Sequence, residues 1–355
     1  MILPKRYKHE KSFSAGGMSD AAKCIDTHLD RPVLVKALKE GTDKKRLLDE
    51  IRALQKIRSK HVVQIYDVVR DEDGEIQGLV EEYIEGADLT YLNPPTTAED
   101  LMKLFYPIAK GIAEIHDHGH IHRDVKRQNM KFDGEGCLKI FDFGLARDET
   151  ADASTIGPIG TPGYMAPELF VAGTNGKTSF TTAIDVYAFG VTAISLARGT
   201  MPNGLKGIPP KLPAADADFN GLPQSLPPAV ATLLNQCLAA DPTARPKMSE
   251  VAEELSLHLL HGQHRAFVGF SGRLYVLDAT HPAADLSVAG QGALRVRYDG
   301  LRFLLENVTG HVALNNQQAF NGMVVPGSCV IMLGLPYPSA RTAITIDVSH
   351  PEVTL

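Results

Sequence analysis

The stretch "HIHRDVKRQNM", residues 120–130, sets an acid, a cation and an amide at short fixed intervals. Lys126 follows Asp124 by two residues and Asn129 follows it by five. Thirteen residues after Asn129 comes Asp142, in "FDFGLAR", with a glycine close behind that lets the backbone turn. Moving a phosphoryl group requires such parts. A carboxylate orients the incoming hydroxyl and accepts its proton, a cation meets the migrating phosphate, and hard oxygens hold a divalent metal. Each residue alone is unremarkable, and an isolated His-Arg-Asp is usually a surface ion cluster. Together, in this order and spacing, they point to phosphoryl transfer.

Over residues from about 10 to 262 the chain resembles the eukaryotic-like (Hanks-type) Ser/Thr protein kinases of bacterial type, on the strength of this ordered set. The resemblance implies an ATP-dependent enzyme in which Asp124 is the catalytic base and Lys126 contacts the γ-phosphate. Asn129 and Asp142 would hold magnesium (or manganese). The lysine two residues after the acid is similar to the Ser/Thr branch rather than the tyrosine-specific one. Arg127 stands where the family usually has proline, a departure expected to be harmless. Lys36 in "PVLVKALK" matches the strand lysine that grips the α- and β-phosphates, and Glu50 matches its ion-pair partner. "GTPGYMAPE" resembles the end of an activation segment and a platform for peptide acceptors, with Thr161 beside the acceptor site. Glu168 closes that segment, and Arg245 in "ADPTARP" matches the buried arginine that pairs with it. Asp185 in "AIDVYAFG" matches the helix aspartate that holds the catalytic-loop backbone. Arg123 directly precedes Asp124, so a phosphate on the activation loop would pair with it and order the segment. Thr155, with Ser154, is the expected autophosphorylation site; the competing reading is an unmodified loop.

Several residues depart from the family's pattern around the nucleotide base. "KSFSAGGMSDAAKC", residues 11–24, aligns with the glycine-rich loop but keeps only Gly16 and Gly17. Ser14 replaces the first glycine, Ser19 the third, and Ala21 the valine that covers adenine. Backbone N–H groups still cradle phosphate there, provided no replaced position needs a positive φ. Leu34 occupies the place of a small alanine and should crowd the base. "LVEEYIEG" puts Glu81 at the gatekeeper position, with Glu82, Tyr83 and Ile84 following as the hinge. A carboxylate facing the pocket interior must be paired or protonated. Either Glu81 shares Lys36 with Glu50, or a one-residue bulge turns it outward.

The elements that must position these residues fall into three regions. From the start to about residue 84, strand-like runs ("PVLVKALK", "HVVQIYDVV", "IQGLVEEYI") surround one helical pattern. In that pattern Leu47, Leu48, Ile51, Leu54 and Ile57 recur at helical spacing. From about 85 to 262 helical signals dominate, broken by prolines in "ADPTARP". The proline- and glycine-rich stretch from Met201 to Pro228 reads as a long surface loop or a disordered insertion. No lysine occurs beyond Lys247, and short alternating runs such as "ALRVRYDG", "LRFLLENV" and "AITIDVS" signal a small all-β module. The expected architecture is therefore an α+β bilobal kinase fold over 1–262 (N-lobe about 1–84, C-lobe about 85–262) followed by a β-sandwich over 265–355. The second part resembles a forkhead-associated domain in outline. It lacks that family's phosphothreonine-reading Gly-Arg and Ser-x-x-His features at matching places.

Composition narrows the setting. A net charge of −6 gives no reason to expect nucleic acid or an anionic membrane as partner. The four cysteines, Cys24, Cys137, Cys237 and Cys329, have no close spacing and read as reduced thiols. No stretch reaches the roughly 20 apolar residues a membrane-spanning helix needs, so a cytoplasmic protein is expected. The leading reading is a Ser/Thr protein kinase acting on protein hydroxyls, with a protein partner for its C-terminal docking or regulatory module. The alternative is a pseudokinase scaffold acting through protein–protein binding. Small-molecule phosphotransfer is disfavoured by the peptide platform.

Overall fold

The computed structural model describes residues 3–13, 19–38, 44–143, 147–148, 160–171, 180–336 and 340–349. Contacts divide the chain into two compact units, Met1–Leu255 and Ser256–Thr354.

The first unit opens with an antiparallel five-stranded sheet. Its strands are β1 (Tyr7–Phe13), β2 (Ser19–Asp26), β3 (Arg31–Leu38), β4 (Ile65–Arg70) and β5 (Ile76–Glu82), in the order β1-β2-β3-β5-β4. Side chains alternate across a strand, so the sheet has two apolar faces. Ala22, Cys24, Val33, Val35 and Val80 join Tyr7 and Val69 in one core. Leu79, the next residue along from Val80, turns the other way and meets Leu47 and Ile51 of helix α1 (Lys44–Lys56). The run "HVVQIYDVV" does not form one strand. Val63 N–H donates to Ile140 O at 2.9 Å and Ile140 N–H to His61 O at 2.8 Å, so β4 proper starts at Ile65.

Helices dominate the rest of this unit. Helix α2 (Ala98–Asp117) starts at Thr97, whose hydroxyl caps Asp100 N–H at 3.1 Å. Its Gly111 lies so close to Ile140 and His61 that an added Cβ would sit 2.9 and 3.0 Å from their side chains. That close approach lets α2 pack on the small ribbon of β7 (Met130–Phe132) and β8 (Leu138–Ile140), while β6 (His120–Ile121) pairs with β9 (Arg147–Asp148). Helix α3 (Ala183–Arg198) is buried on every side from Ile184 to Ala197, as an apolar helix in a large core must be. Its Thr192 and Ser195 hydroxyls donate to the carbonyls four residues back, at 2.8 and 2.6 Å, so neither is buried unpaired. Helices α4 (Pro228–Cys237) and α5 (Met248–Leu259) complete the unit. The stretch from Met201 to Pro228 is a long irregular loop with two short 3₁₀ turns, anchored at several apolar points rather than disordered. Leu205, Ala217, Phe219 and Leu222 are buried, and Asp216 accepts from Asn203 N–H at 2.7 Å.

In the second unit β10 (Ala266–Phe270), β11 (Arg273–Leu277), β15 (Val312–Leu314), β16 (Gln317–Gln318), β17 (Ser328–Leu333) and β18 (Thr342–Val348) form one antiparallel sheet. Its order is β11-β10-β18-β17-β15-β16. β12 (Ala283–Val288), β13 (Gly292–Tyr298) and β14 (Phe303–Gly310) form a second, three-stranded sheet. Inward residues of both, including Val268, Leu286, Val296, Leu305, Ile331 and Ile346, share one core.

Candidate active site

Asp124, Asn129, Asp142 and Asp185 sit in loops or near element ends, while Lys36 and Glu50 lie within β3 and α1. In the catalytic loop Asp124 is buried and surrounded by donors. Lys126 Nζ donates to Asp124 Oδ2 at 2.6 Å and to Thr161 Oγ1 at 2.7 Å, while Thr161 Oγ1 donates to Asp124 Oδ1 at 2.6 Å. Asn129 Nδ2 donates to the Asp124 carbonyl and to Oδ2, both at 2.9 Å. Burial alone would raise the Asp124 pKa, but the hydrogen bonds from Lys126 and Thr161 reverse this and hold it below the usual range. The carboxylate is therefore ionised at neutral pH and able to accept a proton.

Asp185, fully buried near the start of α3, fixes the loop that carries Asp124. It accepts from His122 N–H at 2.7 Å, Arg123 N–H at 2.8 Å and His116 Nε2 at 3.0 Å. Burial pushes its pKa up, and the His116 hydrogen bond leads the interactions that bring it below normal. These bonds hold Arg123 at φ 68°, a left-handed conformation rarely adopted by a non-glycine residue. The Arg123 guanidinium lies 4.2 Å from the Phe180 ring centroid, and burial pushes it down to about 10 despite the pull of Asp185.

Asp142 also has φ 68°, and its side chain is exposed. Phe141 N–H donates to the Asn129 carbonyl at 3.0 Å, which brings the two chain segments carrying Asn129 and Asp142 side by side. Among the described residues no three His, Cys, Asp or Glu side chains cluster to hold a metal unaided. Two hard oxygen donors on adjacent segments fit a magnesium-type ion, which keeps waters and shares substrate phosphates rather than filling a protein cage.

On the sheet, Lys36 Nζ lies 2.9 Å from Glu50 Oε1 on α1 and 3.0 Å from Glu81 Oε2 on β5. Glu81 is 1% exposed. Burial pushes its carboxyl up to about 8 against the pull of Lys36, and the Glu50 charge adds to the rise. The pairing Ile65↔Glu81 followed by Asp67↔Val80 puts the bulge in β4, at Tyr66, and leaves Glu81 facing inward. Leu34 stands opposite Glu81 in the β3–β5 ladder, and Ala21 opposite Lys36 in the β2–β3 ladder. Next in the chain, Glu82 turns to Lys139 Nζ at 2.9 Å, and Ile84 is buried. Further away, Arg245 forks onto Glu168 through Nη1 at 2.7 Å and Nη2 at 2.8 Å. Ser14, Gly16, Gly17, Ser154 and Thr155 lie outside the described residues.

Sequence reasoning missed His116, Lys139 and the surroundings of Arg127. Lys139 carried a faint signal, a cation inside the apolar run "CLKIF". His116 carried none, because its partner Asp185 is far along the chain.

Residues 7–255 match the protein kinase domain family. The chain belongs to the protein kinase family. It is similar to the serine/threonine-protein kinase PknL of Mycobacterium tuberculosis, 28% identical over 321 residues that cover 81% of this chain and 79% of PknL. The ovarian-specific serine/threonine-protein kinase Lok of Drosophila melanogaster is 31% identical over 272 residues, 71% of this chain and 56% of Lok. The serine/threonine-protein kinase PrkC of Bacillus subtilis is 28% identical over 266 residues, 70% of this chain and 39% of PrkC. The protein is a protein serine/threonine kinase, and its family implies ATP, a divalent metal and protein substrates. Among the described residues no helix of the kinase is long and apolar enough to cross a membrane.

Proposed function

We propose that this cytoplasmic kinase phosphorylates protein Ser/Thr hydroxyls, including its own activation loop, through Asp124, Lys126, Lys36, Glu50, Asn129 and Asp142. The observation that carries the reading is the closed set of hydrogen bonds joining Asp124, Lys126, Thr161 and Asn129. When bound, ATP supplies the γ-phosphoryl group and magnesium (or manganese) draws negative charge off its phosphates. Asp124 orients the acceptor hydroxyl and takes its proton, at a carboxylate kept ionised by its donors. Lys126, anchored on Asp124, directs its charge at the transferred group. Lys36 holds the α- and β-phosphates, braced by Glu50, and Asn129 and Asp142 supply the metal's protein oxygens. Ser14, Gly16 and Gly17 cradle phosphate, while Ala21, Leu34, Glu81, Glu82 and Ile84 bound the base. A phosphate on Thr155 or Ser154 pairs with Arg123, whose burial-depressed guanidinium gains most from an added anion.

The domains are taken as 1–262 for the kinase and 265–355 for a β-sandwich of forkhead-associated-like outline that docks a protein partner. The shared core of its two sheets supports the sandwich. Purified protein incubated with labelled ATP and magnesium, beside Asp124→Asn, tests the assignment. Label should enter the active protein and a generic protein acceptor, with a loss of about 10²–10⁴-fold in the variant, the usual worth of a general base. Mapping should find the self-label on Thr155 or Ser154; an unlabelled loop in fully active protein refutes that part.

A further inference from the structure

The departure at Arg127 has a consequence at the acceptor site. Arg127 begins a short 3₁₀ turn directly after Lys126 and is half-buried, with its Nε enclosed and without a hydrogen-bond partner. Nη1 donates to Gly199 O at 3.3 Å, just past the last turn of α3. The same guanidinium stands against the Tyr164 hydroxyl, whose proton burial tightens and Arg127 loosens. Tyr164 belongs to the segment that also supplies Thr161 to Asp124, and its N–H donates to Thr161 O at 3.1 Å. Arg127 thus follows Asp124 by three residues in the chain and stands against Tyr164, in the segment that supplies Thr161 to Asp124.

Among the described residues Arg127 makes no ion pair, and the nearby carboxylate of Asp124 is already taken by Lys126 and Thr161. Its partners, the Gly199 carbonyl at the end of α3 and the Tyr164 hydroxyl, carry no full negative charge, although the helix C-terminus favours a cation there. A guanidinium fixed in this way, with donors in a planar fork, is built to meet a carboxylate. A proline at this position would offer neither charge nor donor.

We propose that Arg127 is a specificity-determining residue that favours acceptor segments carrying Asp or Glu beside the target serine or threonine. The inference rests on Asp124 marking the acceptor site. A competing role is a plain strut joining Tyr164 to the end of α3, and the two roles separate in selectivity. Matched peptides with Asp or Asn at each position flanking one serine should differ in kcat/KM by about fivefold or more at the best position, as a partly enclosed ion pair allows. Arg127→Ala should bring that ratio to about one, and Arg127→Lys should keep part of it. A wild-type enzyme indifferent to Asp, or an R127A variant that slows both peptides equally, overturns the proposal. The same peptides with alanine for serine, followed by fluorescence anisotropy, read binding without turnover. Turnover lacking acid selectivity refutes the role of Arg127 alone. Acid-selective binding that requires Arg127, without turnover of the serine peptides, upholds it and refutes the catalytic reading of Asp124.

Discussion

Glu81 brings a second carboxylate onto Lys36, the lysine proposed to grip phosphate. With Glu50 also 2.9 Å from Lys36, the cation is shared between two acids, one of them 1% exposed. The folded Glu81 carboxyl, pushed up to about 8 by burial, retains a proton that an unfolded glutamate, at about 4.3, releases. Between these values the folded state binds more protons, so the contribution of Glu81 to stability falls as pH climbs from about 4 to 8. This runs opposite to a salt-bridged carboxylate with a depressed pKa. Glu81→Gln should therefore stabilise the protein more at pH 8.5 than at pH 5.5, with a difference on the order of 3 kcal/mol. Thermal or urea melts of both proteins at the two pH values check this; a gain that shrinks as pH rises sinks it. The sequence shows an acid where an apolar side chain or threonine is usual, and chemistry requires that it be paired or protonated. Two arrangements satisfy that requirement. The choice between them lies in a bulge at Tyr66 on the neighbouring strand, which no local pattern in β5 reveals.

At the scale of elements, the candidate active site depends on contacts between segments far apart in sequence. Helix α3 carries Asp185 to the catalytic loop, and the stretch after α4 carries Arg245 back to Glu168. The Arg245 side chain is fully enclosed, and it also donates to the carbonyls of Ala183 at 2.9 Å and Ala239 at 2.9 Å. Removing Glu168 leaves a buried, uncompensated guanidinium, so Glu168→Ala should cost about 3–5 kcal/mol. The double variant Glu168→Ala/Arg245→Met should recover much of that loss, since a well-packed apolar pair replaces buried ions at little cost. Chemical denaturation of the three proteins measures both steps, and a double variant no better than the single one contradicts the account. Helix periodicity makes α1 legible, because Leu47, Ile51 and Leu54 recur on one face and all three are buried. Sequence alone leaves the Met201–Pro228 stretch open between an anchored loop and disorder for a physical reason. Prolines and glycines rule out long helices there, but short turns still bury Leu205, Phe219 and Leu222 one at a time.

At the scale of the whole chain, three apolar clusters each draw on one stretch of sequence. The cluster under the C-terminal sheets begins at Ala266 and ends at Ile346, and the clusters on the N-terminal sheet draw on nothing beyond Val80. The switch in sequence from helical spacing to short alternating runs makes this change of architecture legible. Strand order is not legible in the same way, because β10 pairs with β18, some seventy residues on, and alternation specifies a face but not a neighbour. The division between Leu255 and Ser256 falls inside α5, whose Val251, Ala252 and Leu255 are buried. Cutting at residue 255 removes the last turn of that helix and strips the carbonyls of residues 252–255 of their N–H donors, whereas cutting after 262 keeps the helix whole. A segment ending at 262 should therefore unfold cooperatively and more stably than one ending at 255, by about 1–2 kcal/mol for a frayed terminal turn. The complementary segment 263–355 should fold alone, with the near-ultraviolet signal of its Tyr298–Phe303 ring stack at 4.6 Å intact. Circular dichroism and urea titration of the three segments decide the matter, and a 263–355 segment without a cooperative transition would show that its core needs the rest of the chain.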